Sequence, residues 1–304
     1  MAIRVAKKQR RSFGNASLNN DPPKALIKPL DPMTERTIRC VCAAANALGI
    51  NVLLCGATAR VLVLEHIHGC EPERQTHDID FAFAVNDWAQ HHALAQSLTA
   101  TGLWQRGKHL HQLLPSQMNG GVYPLDLVPY GAIENERGEI SWPPKQAFAM
   151  SVLGFAEADR YAMRVAVAQD LVITVVDIVS IAMLKLIAWH DRKLEPDPRR
   201  KHAQDFALMV KNYGEFEFRK DRFYTEAPSV FERADGDVCL VGAWLLGHDV
   251  GGRVAARTRD KLQSVFAVKN HLLGNIQATS YFVSTARAEE ILGYFVEGFQ
   301  ATQT

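Results

Sequence analysis

Residues 51–83 read NVLLCGATARVLVLEHIHGCEPERQTHDIDFAF, and the rest of the chain is organised around this stretch. It opens with an apolar run at 52–55 that has the character of a strand. The small residues Gly-Ala-Thr at 56–58 follow and allow an immediate turn. Apolar residues then recur at helical spacing as far as Ile67. The sequence therefore predicts a strand, a tight turn and a helix in direct succession.

The same stretch ends in a second strand pattern, residues 77–83, which carries two aspartates. Side chains alternate along a strand, so Asp78 and Asp80 are expected on one face. Two neighbouring carboxylates repel each other unless a cation lies between them. Carboxylate oxygens suit Mg²⁺ or Mn²⁺, which keep coordination positions open for phosphate oxygens. The pattern predicts a divalent metal site of the kind used in nucleotidyl transfer.

A third carboxylate lies on a later predicted strand, residues 123–128. There Asp126 stands alone, while Leu125 and Leu127 face the opposite side. A polar residue in such a position is costly unless it faces a partner or solvent. Asp126 is therefore a candidate for the same site as the aspartate pair.

Two predicted helices in the second half of the chain carry further candidates. On the first, capped by Asp177, Lys185 and Arg192 lie seven residues apart and share a face. Lys185 lies among apolar residues, so its ammonium group is a candidate to hold the β and γ phosphates, although a buried stem with an exposed head would also explain it. The second helix is predicted at 199–213, ends at Gly214 and carries Asp205.

The composition is that of an ordinary globular protein. The 304 residues, 33.8 kDa, are 47% hydrophobic and 22% charged, which is enough for two domains with separate cores. The net charge of +1 argues against polyanion binding over the whole surface, although it allows a local basic face. Five scattered cysteines match neither a disulfide framework nor a zinc finger. Without a signal-peptide core or a membrane-length apolar run, the chain is expected in the cytoplasm.

None of the motifs is decisive alone. A second Asp-x-Asp pair at 235–237 is expected to be an exposed turn. The turn at 56–58 either serves packing or begins a helix whose N–H groups, with the Thr58 hydroxyl, hold a triphosphate. It lacks the Gly-Lys-Ser/Thr of a Walker A loop. Histidine pairs such as His109 and His111 lack a further ligand at metal-binding spacing and are expected on the surface.

Four motifs follow one another along the chain. They are Gly56-Ala57-Thr58-Ala59, Arg74-Gln75-Thr76-His77-Asp78-Ile79-Asp80, Lys185-Leu186-Ile187-Ala188 with Arg192, and Arg200-Lys201-His202-Ala203-Gln204-Asp205-Phe206-Ala207-Leu208. In this order they resemble the AbiEii-type nucleotidyltransferases of the polymerase-β-like superfamily, which include toxins of bacterial toxin–antitoxin systems. The first motif has Ala57 where the family usually has a second glycine.

The resemblance implies an α+β fold. Residues 32–145 would form a nucleotidyltransferase domain with a small mixed sheet and helices, and 146–304 a mainly helical domain that contributes Lys185 and Asp205. Residues 1–31, basic at the start and rich in Asn, Ser and Pro, would be a flexible arm.

The resemblance also implies roles for individual residues. It implies that Asp78 and Asp80 bind the divalent metal. Superfamily analogy adds Asp126 as a further metal ligand and as the group that activates the acceptor hydroxyl. Lys185 and Asp205 complete the catalytic group. The residues implied for the nucleotide are Gly56, Ala57, Thr58, Arg60, Lys185 and Arg192.

The expected reaction moves a nucleoside monophosphate from a nucleoside triphosphate to an acceptor hydroxyl, with Mg²⁺ or Mn²⁺ as cofactor. The acceptor could be the 3′ end of a tRNA, as in some toxin relatives, and the resemblance alone implies a cognate antitoxin. Transfer to a small molecule, as in antibiotic nucleotidyltransferases, and a catalytically silent binding module remain open.

The surface around the site would discriminate between the acceptors. A neutral, closed pocket would favour a small molecule. An RNA acceptor needs an extended basic face. Its candidates are the arm at residues 4–11 and a cluster made of Arg192, Lys193, Arg199, Arg200 and Lys201.

Overall fold

The computed structural model describes residues 22–72, 74, 76–116, 121–144, 149–192, 196–218, 220–277, 282 and 284–302. Most of the expected arm, residues 1–21, lies outside these ranges, as do Gln75 and Lys193. Within the described ranges, no helix has both the length and the apolar character needed to span a membrane. The fold is mixed, with a sheet in the first part of the chain and helices in the second.

Eight strands form one mixed sheet in the order β1-β9-β10-β2-β3-β6-β5-β4, and β7 with β8 forms a separate two-stranded sheet. In chain order the strands are β1 (Lys24–Ala25), β2 (Val52–Cys55), β3 (Ile79–Val85), β4 (Trp104–Arg106), β5 (Gln112–Pro115), β6 (Leu125–Gly131), β7 (Glu139–Ser141), β8 (Ala149–Ser151), β9 (Met163–Ala168) and β10 (Leu171–Val175). The sheet continues past residue 145, because β9 and β10 lie between β1 and β2.

The helices surround this sheet and then form the second half of the chain on their own. They are α1 (Pro32–Ala47), α2 (Gly56–Val61, continued by a π-helical segment Leu62–Ile67), α3 (Trp88–Ala100), α4 (Phe155–Arg160), α5 (Ile178–Asp191), α6 (Pro196–Phe218), α7 (Arg222–Thr225), α8 (Pro228–Arg233), α9 (Val238–Arg253), α10 (Ala256–Ala267), α11 (Lys269–Gln277) and α12 (Thr285–Ala301). The expected α+β class, with a mixed sheet followed by a mainly helical part, is confirmed.

One edge of the sheet gathers the ends of four strands. β2 runs parallel to β10 and antiparallel to β3, which in turn runs parallel to β6. The ends of β2 and β10 therefore lie beside the starts of β3 and β6. Helices α2 and α5 both leave the sheet at this edge, because each begins directly after one of the two parallel strands.

Helix α5 connects the sheet to the helical half. The side chain of Asp177 caps it by accepting a hydrogen bond of 2.9 Å from the Ser180 N–H. Most of its residues are buried, and the indole of Trp189 donates to the Asn275 side chain at 2.8 Å. A helix that is apolar on nearly all sides must lie inside the protein. Lys185 is consequently carried into the interior rather than to the surface.

The helix that carries Asp205 is longer than the sequence predicts. It was expected at 199–213, but α6 continues through Gly214 to Phe218. Gly214 faces the start of α9, where a Cβ atom would overlap with the carbonyl group of Val238. The predicted stop at Gly214 is therefore wrong, because this glycine permits two helices to approach closely and does not end one.

Candidate active site

Three carboxylates meet at the sheet edge described above. Asp80 of β3 is aligned with Asp126 of the parallel strand β6, so their side chains lie next to each other on one face. Asp78 lies one residue before β3, and its Oδ1 accepts a hydrogen bond of 2.6 Å from the Thr76 hydroxyl. The charge of Asp78 influences the pKa of both other aspartates. The structure thus brings the three predicted carboxylates together.

The turn between β2 and α2 closes directly on Asp80. Gly56 has a φ angle of +67°, and a Cβ atom there would overlap with the Asp80 carboxylate. Glycine satisfies both conditions, since it tolerates positive φ and has no side chain. The next N–H group, that of Ala57, hydrogen-bonds to Asp80. Ala57 itself lies within α2 and replaces the family's second glycine at a position that requires no unusual backbone angle.

The environment of Asp80 disfavours its charge. Burial, followed by repulsion from Asp78 and Asp126, raises the pKa of Asp80 to about 7. The positive charge of Lys185 opposes this shift but does not cancel it. Because neighbouring carboxylates repel each other, a bound cation would stabilise their ionised forms.

A second group of charges surrounds Asp205 of α6, which is 4% exposed. The Lys185 ammonium lies 2.7 Å from Asp205 Oδ2, and Arg74 contacts both carboxylate oxygens at 3.1 and 3.3 Å. Arg60 Nε lies 3.4 Å from Oδ1. Burial would raise the pKa of Asp205, but the three cations outweigh it and lower the pKa below its usual value. One buried carboxylate thus gathers three cations.

Two residues predicted to contact the nucleotide have side chains engaged within the protein. The Thr58 hydroxyl donates to the backbone carbonyl of Asp78 at 3.0 Å, which fixes the turn against the start of β3. The Arg60 side chain is 1% exposed, and its guanidinium donates to the backbone carbonyl of Arg74 at 2.8 Å. Both therefore support the positions of the residues that line the site.

Arg192, His109 and His111 also lie close to Asp126. Burial and the charge of Asp78 raise the pKa of Asp126 to about 6, against the opposing charges of His109 and Arg192. His111 Nε2 lies 3.9 Å from Asp126 Oδ2. Burial, together with the charges of His109 and Arg192, lowers the pKa of His111 to about 4, so its ring is neutral near neutral pH.

Two of these neighbours, Arg74 and His111, are not among the residues predicted for the site. Arg74 belongs to the second motif, but neither the pattern nor the resemblance implies a role for it. The prediction of a surface position for His111 is wrong, because its side chain is only 17% exposed. In the sheet Gln112 is aligned with Asp126, and His111 lies directly before β5, so strand pairing alone does not predict that the His111 ring lies beside the Asp126 carboxylate.

A family model described as nucleotidyl transferase AbiEii toxin, Type IV TA system, matches residues 39–266. The chain belongs to this family. The matched region contains every predicted site residue, and membership makes this AbiEii chain a nucleotidyltransferase.

Other comparisons add little to the family assignment. No curated protein matches the AbiEii chain. A solution structure of the antibiotic-resistance factor ANT(2'')-Ia is similar at 14% sequence identity, over 66% of this chain and 96% of that one, with a TM-score of 0.35. At that TM-score the likeness supports no inference about substrate or mechanism.

Proposed function

We propose that the chain transfers a nucleoside monophosphate from a nucleoside triphosphate to a hydroxyl of an RNA acceptor, such as the 3′ end of a tRNA. The observation that supports this most strongly is the alignment of Asp80 with Asp126 at the sheet edge where Gly56 begins α2. Lys185 lies close enough to affect the pKa of Asp80. Carboxylates and a cation are thereby placed where the metal and the phosphates of a nucleotide would meet.

The carboxylates fit a divalent metal of the Mg²⁺ type. Among the described residues, no three His, Cys, Asp or Glu side chains form a ready-made metal cluster. Mg²⁺ is commonly held by one or two carboxylates together with water and substrate phosphates, so it needs no such cluster. Asp78, Asp80 and Asp126 would hold it. Burial first, and then repulsion between the carboxylates, raises the pKa of Asp80 and Asp126, and a bound cation would oppose both effects. Bound there, the metal would supply charge stabilisation to the attacking and leaving oxygens.

Lys185 is proposed to bind the phosphates. Its ammonium is held by Asp205 in a group that contains three cations for one buried anion. The group therefore keeps an excess of positive charge, which favours a polyanionic ligand. Asp205 would act as a positioning residue that fixes Lys185, and Arg60 and Arg74 would fix Asp205 in turn.

Asp126 is proposed to accept the proton of the attacking hydroxyl. Its carboxylate lies beside Asp80 at the site, and in the metal-free protein burial raises its pKa above the usual carboxylate value, which favours proton uptake. Arg192, whose charge reaches Asp126, would help to hold the acceptor or the nucleotide at this side. Apart from the Ala57 N–H, which hydrogen-bonds to Asp80, the N–H groups at the start of α2 would face the triphosphate.

The proposal is tested by incubating the purified protein with Mg²⁺, each α-³²P-labelled nucleoside triphosphate in turn, and total bacterial tRNA. Asp80→Asn serves as the inactive variant, and Asp235→Asn, at an exposed turn position, as the matched control. Only Asp235 of the second Asp-x-Asp pair fits the expected exposed turn, because Asp237 is half-buried and caps α9. Label in RNA with the wild type and with Asp235→Asn, and none with Asp80→Asn, is the expected result. EDTA should abolish the labelling.

Other outcomes would replace the proposal. Metal-dependent nucleotide binding without label in RNA would point to a small-molecule or protein acceptor. No binding of any nucleotide in the presence of Mg²⁺ would indicate a silent binding module. Label that persists in Asp80→Asn would remove the carboxylate pair from the mechanism.

Partners beyond the nucleotide are likewise proposals. The family is described as the toxin of a Type IV system, which supports the expectation of a cognate antitoxin. Growth of cells that express the wild type or Asp80→Asn would test toxicity, since toxicity by nucleotidyl transfer should require Asp80. The cytoplasmic location expected from the sequence stays a prediction.

A further inference from the structure

The tip of the β4–β5 hairpin has an unusual composition for a loop beside three carboxylates. Residues 106–111 read Arg-Gly-Lys-His-Leu-His and contain no acidic residue. Arg106, Lys108 and His109 are exposed, and Leu110 is 50% exposed. The tip thus presents cations, an imidazole ring and an apolar side chain together on an open surface.

Hydrogen bonds hold this hairpin tip in a fixed position. The Gly107 N–H donates to the Gln112 carbonyl at 2.9 Å, and the Gln112 N–H donates to the His109 carbonyl at 3.0 Å. The Leu127 N–H of β6 donates to the His111 carbonyl at 2.8 Å. Because Leu127 directly follows Asp126, the tip is tied to the strand that carries the proposed proton acceptor.

The rings of the tip are layered outward from the core. Trp142, which is 3% exposed, contacts the ring of His111 with centroids 5.8 Å apart. His111 stacks on His109 with centroids 5.6 Å apart and an interplanar angle of 17°. The outermost ring, that of His109, is exposed and close enough to affect the pKa of Asp126. The layers therefore support a flat ring beside the carboxylates.

We propose that the hairpin tip binds the unpaired end of an RNA acceptor, with a base stacked on His109 and the adjoining phosphates beside Lys108 and Arg106. Unpaired bases stack on aromatic and imidazole rings, and exposed cations track the phosphate backbone. Such binding would bring a terminal hydroxyl towards Asp126. A small molecule is usually enclosed by its site, whereas this tip is open. The inference rests on the proposed function and deepens it by naming the acceptor surface.

The test compares two double variants. Lys108→Ala/His109→Ala alters the tip, and Lys269→Ala/His271→Ala removes the same two residue types from exposed positions on α11. Fluorescence anisotropy of a fluorescein-labelled single-stranded RNA oligonucleotide is measured without metal or nucleotide, so the result does not depend on catalysis. We expect about tenfold weaker RNA binding for the tip variant, because it loses one stacked base and one phosphate contact. The control variant should bind RNA with the same affinity as the wild type. Thermal melts establish that both variants fold.

Nucleotide binding and transfer are measured on the same proteins. The tip variant should bind Mg²⁺ and nucleoside triphosphate like the wild type, while its KM for tRNA rises more than kcat falls. Equal RNA affinity in the tip variant and the wild type would overturn the inference and leave nucleotidyl transfer intact. Absence of RNA binding by the wild type would also overturn it and would favour a small acceptor. A loss of nucleotide affinity in the tip variant would assign the stacking ring to the base of the nucleotide instead.

Discussion

Replacement of Asp80 by asparagine should stabilise the metal-free protein at alkaline pH. In the wild type, burial and the neighbouring charges of Asp78 and Asp126 raise the pKa of Asp80 to about 7. The ionised carboxylate is therefore less favourable in the folded protein than in the unfolded chain. Asparagine has nearly the same shape, carries no charge and can still accept the hydrogen bond from the Ala57 N–H.

The size of the effect follows from the pKa difference. The folded pKa of about 7 exceeds the ordinary aspartate pKa of 3.8 by about three pKa units. At about 1.4 kcal/mol per unit, this sets an upper limit of about 4 kcal/mol for the free energy recovered above neutral pH. Burial of the new amide offsets about 1–3 kcal/mol of this gain, so the net stabilisation should be about 1–3 kcal/mol.

The pH dependence has a defined sign. A raised pKa in the folded state means that the folded wild type binds a proton that the unfolded chain releases more readily. The wild type therefore gains stability from this group below about pH 4 and loses it as the pH rises through about 7. The advantage of Asp80→Asn should be largest above pH 7 and should disappear near pH 4.

Urea denaturation followed by circular dichroism measures this difference, with EDTA present, at about pH 8 and about pH 5. Asp235→Asn is the control, because that residue lies exposed in a turn. Added Mg²⁺ should stabilise the wild type and not Asp80→Asn. An Asp80→Asn protein that is less stable than the wild type at the higher pH, or whose advantage does not change with pH, would refute the argument that burial and the neighbouring carboxylates disfavour the charge of Asp80.

Two further predictions concern the turn and the buried cations. Gly56→Ala and Gly49→Ala both place a side chain at positive φ, +67° and +65°, and share a strain of about 1–2 kcal/mol of unfolding free energy. Only the new methyl group of Gly56→Ala meets the Asp80 carboxylate, so this variant alone should lose label transfer and should lose more stability than Gly49→Ala. Equal losses in Tm would contradict this. Asp205→Asn should cost about 3–5 kcal/mol of unfolding free energy because it leaves buried cations unpaired. Adding Lys185→Met should restore part of that stability in urea denaturation and none of the transfer activity.

Much of the sheet edge could be predicted because it depends on short-range patterns. The strand expected at 52–55 is observed as β2 with the same bounds. Alternation along β3 and a single aspartate on β6 were enough to expect that Asp80 and Asp126 would lie on one face. Their direct alignment depends on the strand register, which cannot be predicted from the sequence pattern and is seen only in the sheet.

The ion group around Asp205 could not be derived from local pattern. Arg74 and Asp205 are 131 positions apart, and their contact depends on how α6 packs beside α5. The helix end predicted at Gly214 is wrong for a related reason. Whether a glycine ends a helix or lets another helix pack closely against it depends on the element that lies opposite, here the start of α9. The resemblance to a family implies a role for Asp205, but only the structure shows that its carboxylate contacts the Lys185 ammonium.

The two charge groups explain each other. Asp78, Asp80 and Asp126 are three acids whose repulsion is not relieved within the protein, and the group around Asp205 has two more cations than anions. Direct contact between the groups would neutralise both, yet the ammonium of Lys185 lies 2.7 Å from Asp205 and influences Asp80 without cancelling its shift. The Lys185 ammonium is thus paired with Asp205, and the charge of Asp80 stays only partly compensated. A metal–triphosphate complex matches both groups at once, because its divalent cation is opposite in charge to the three carboxylates and its phosphates are opposite in charge to the cations around Asp205.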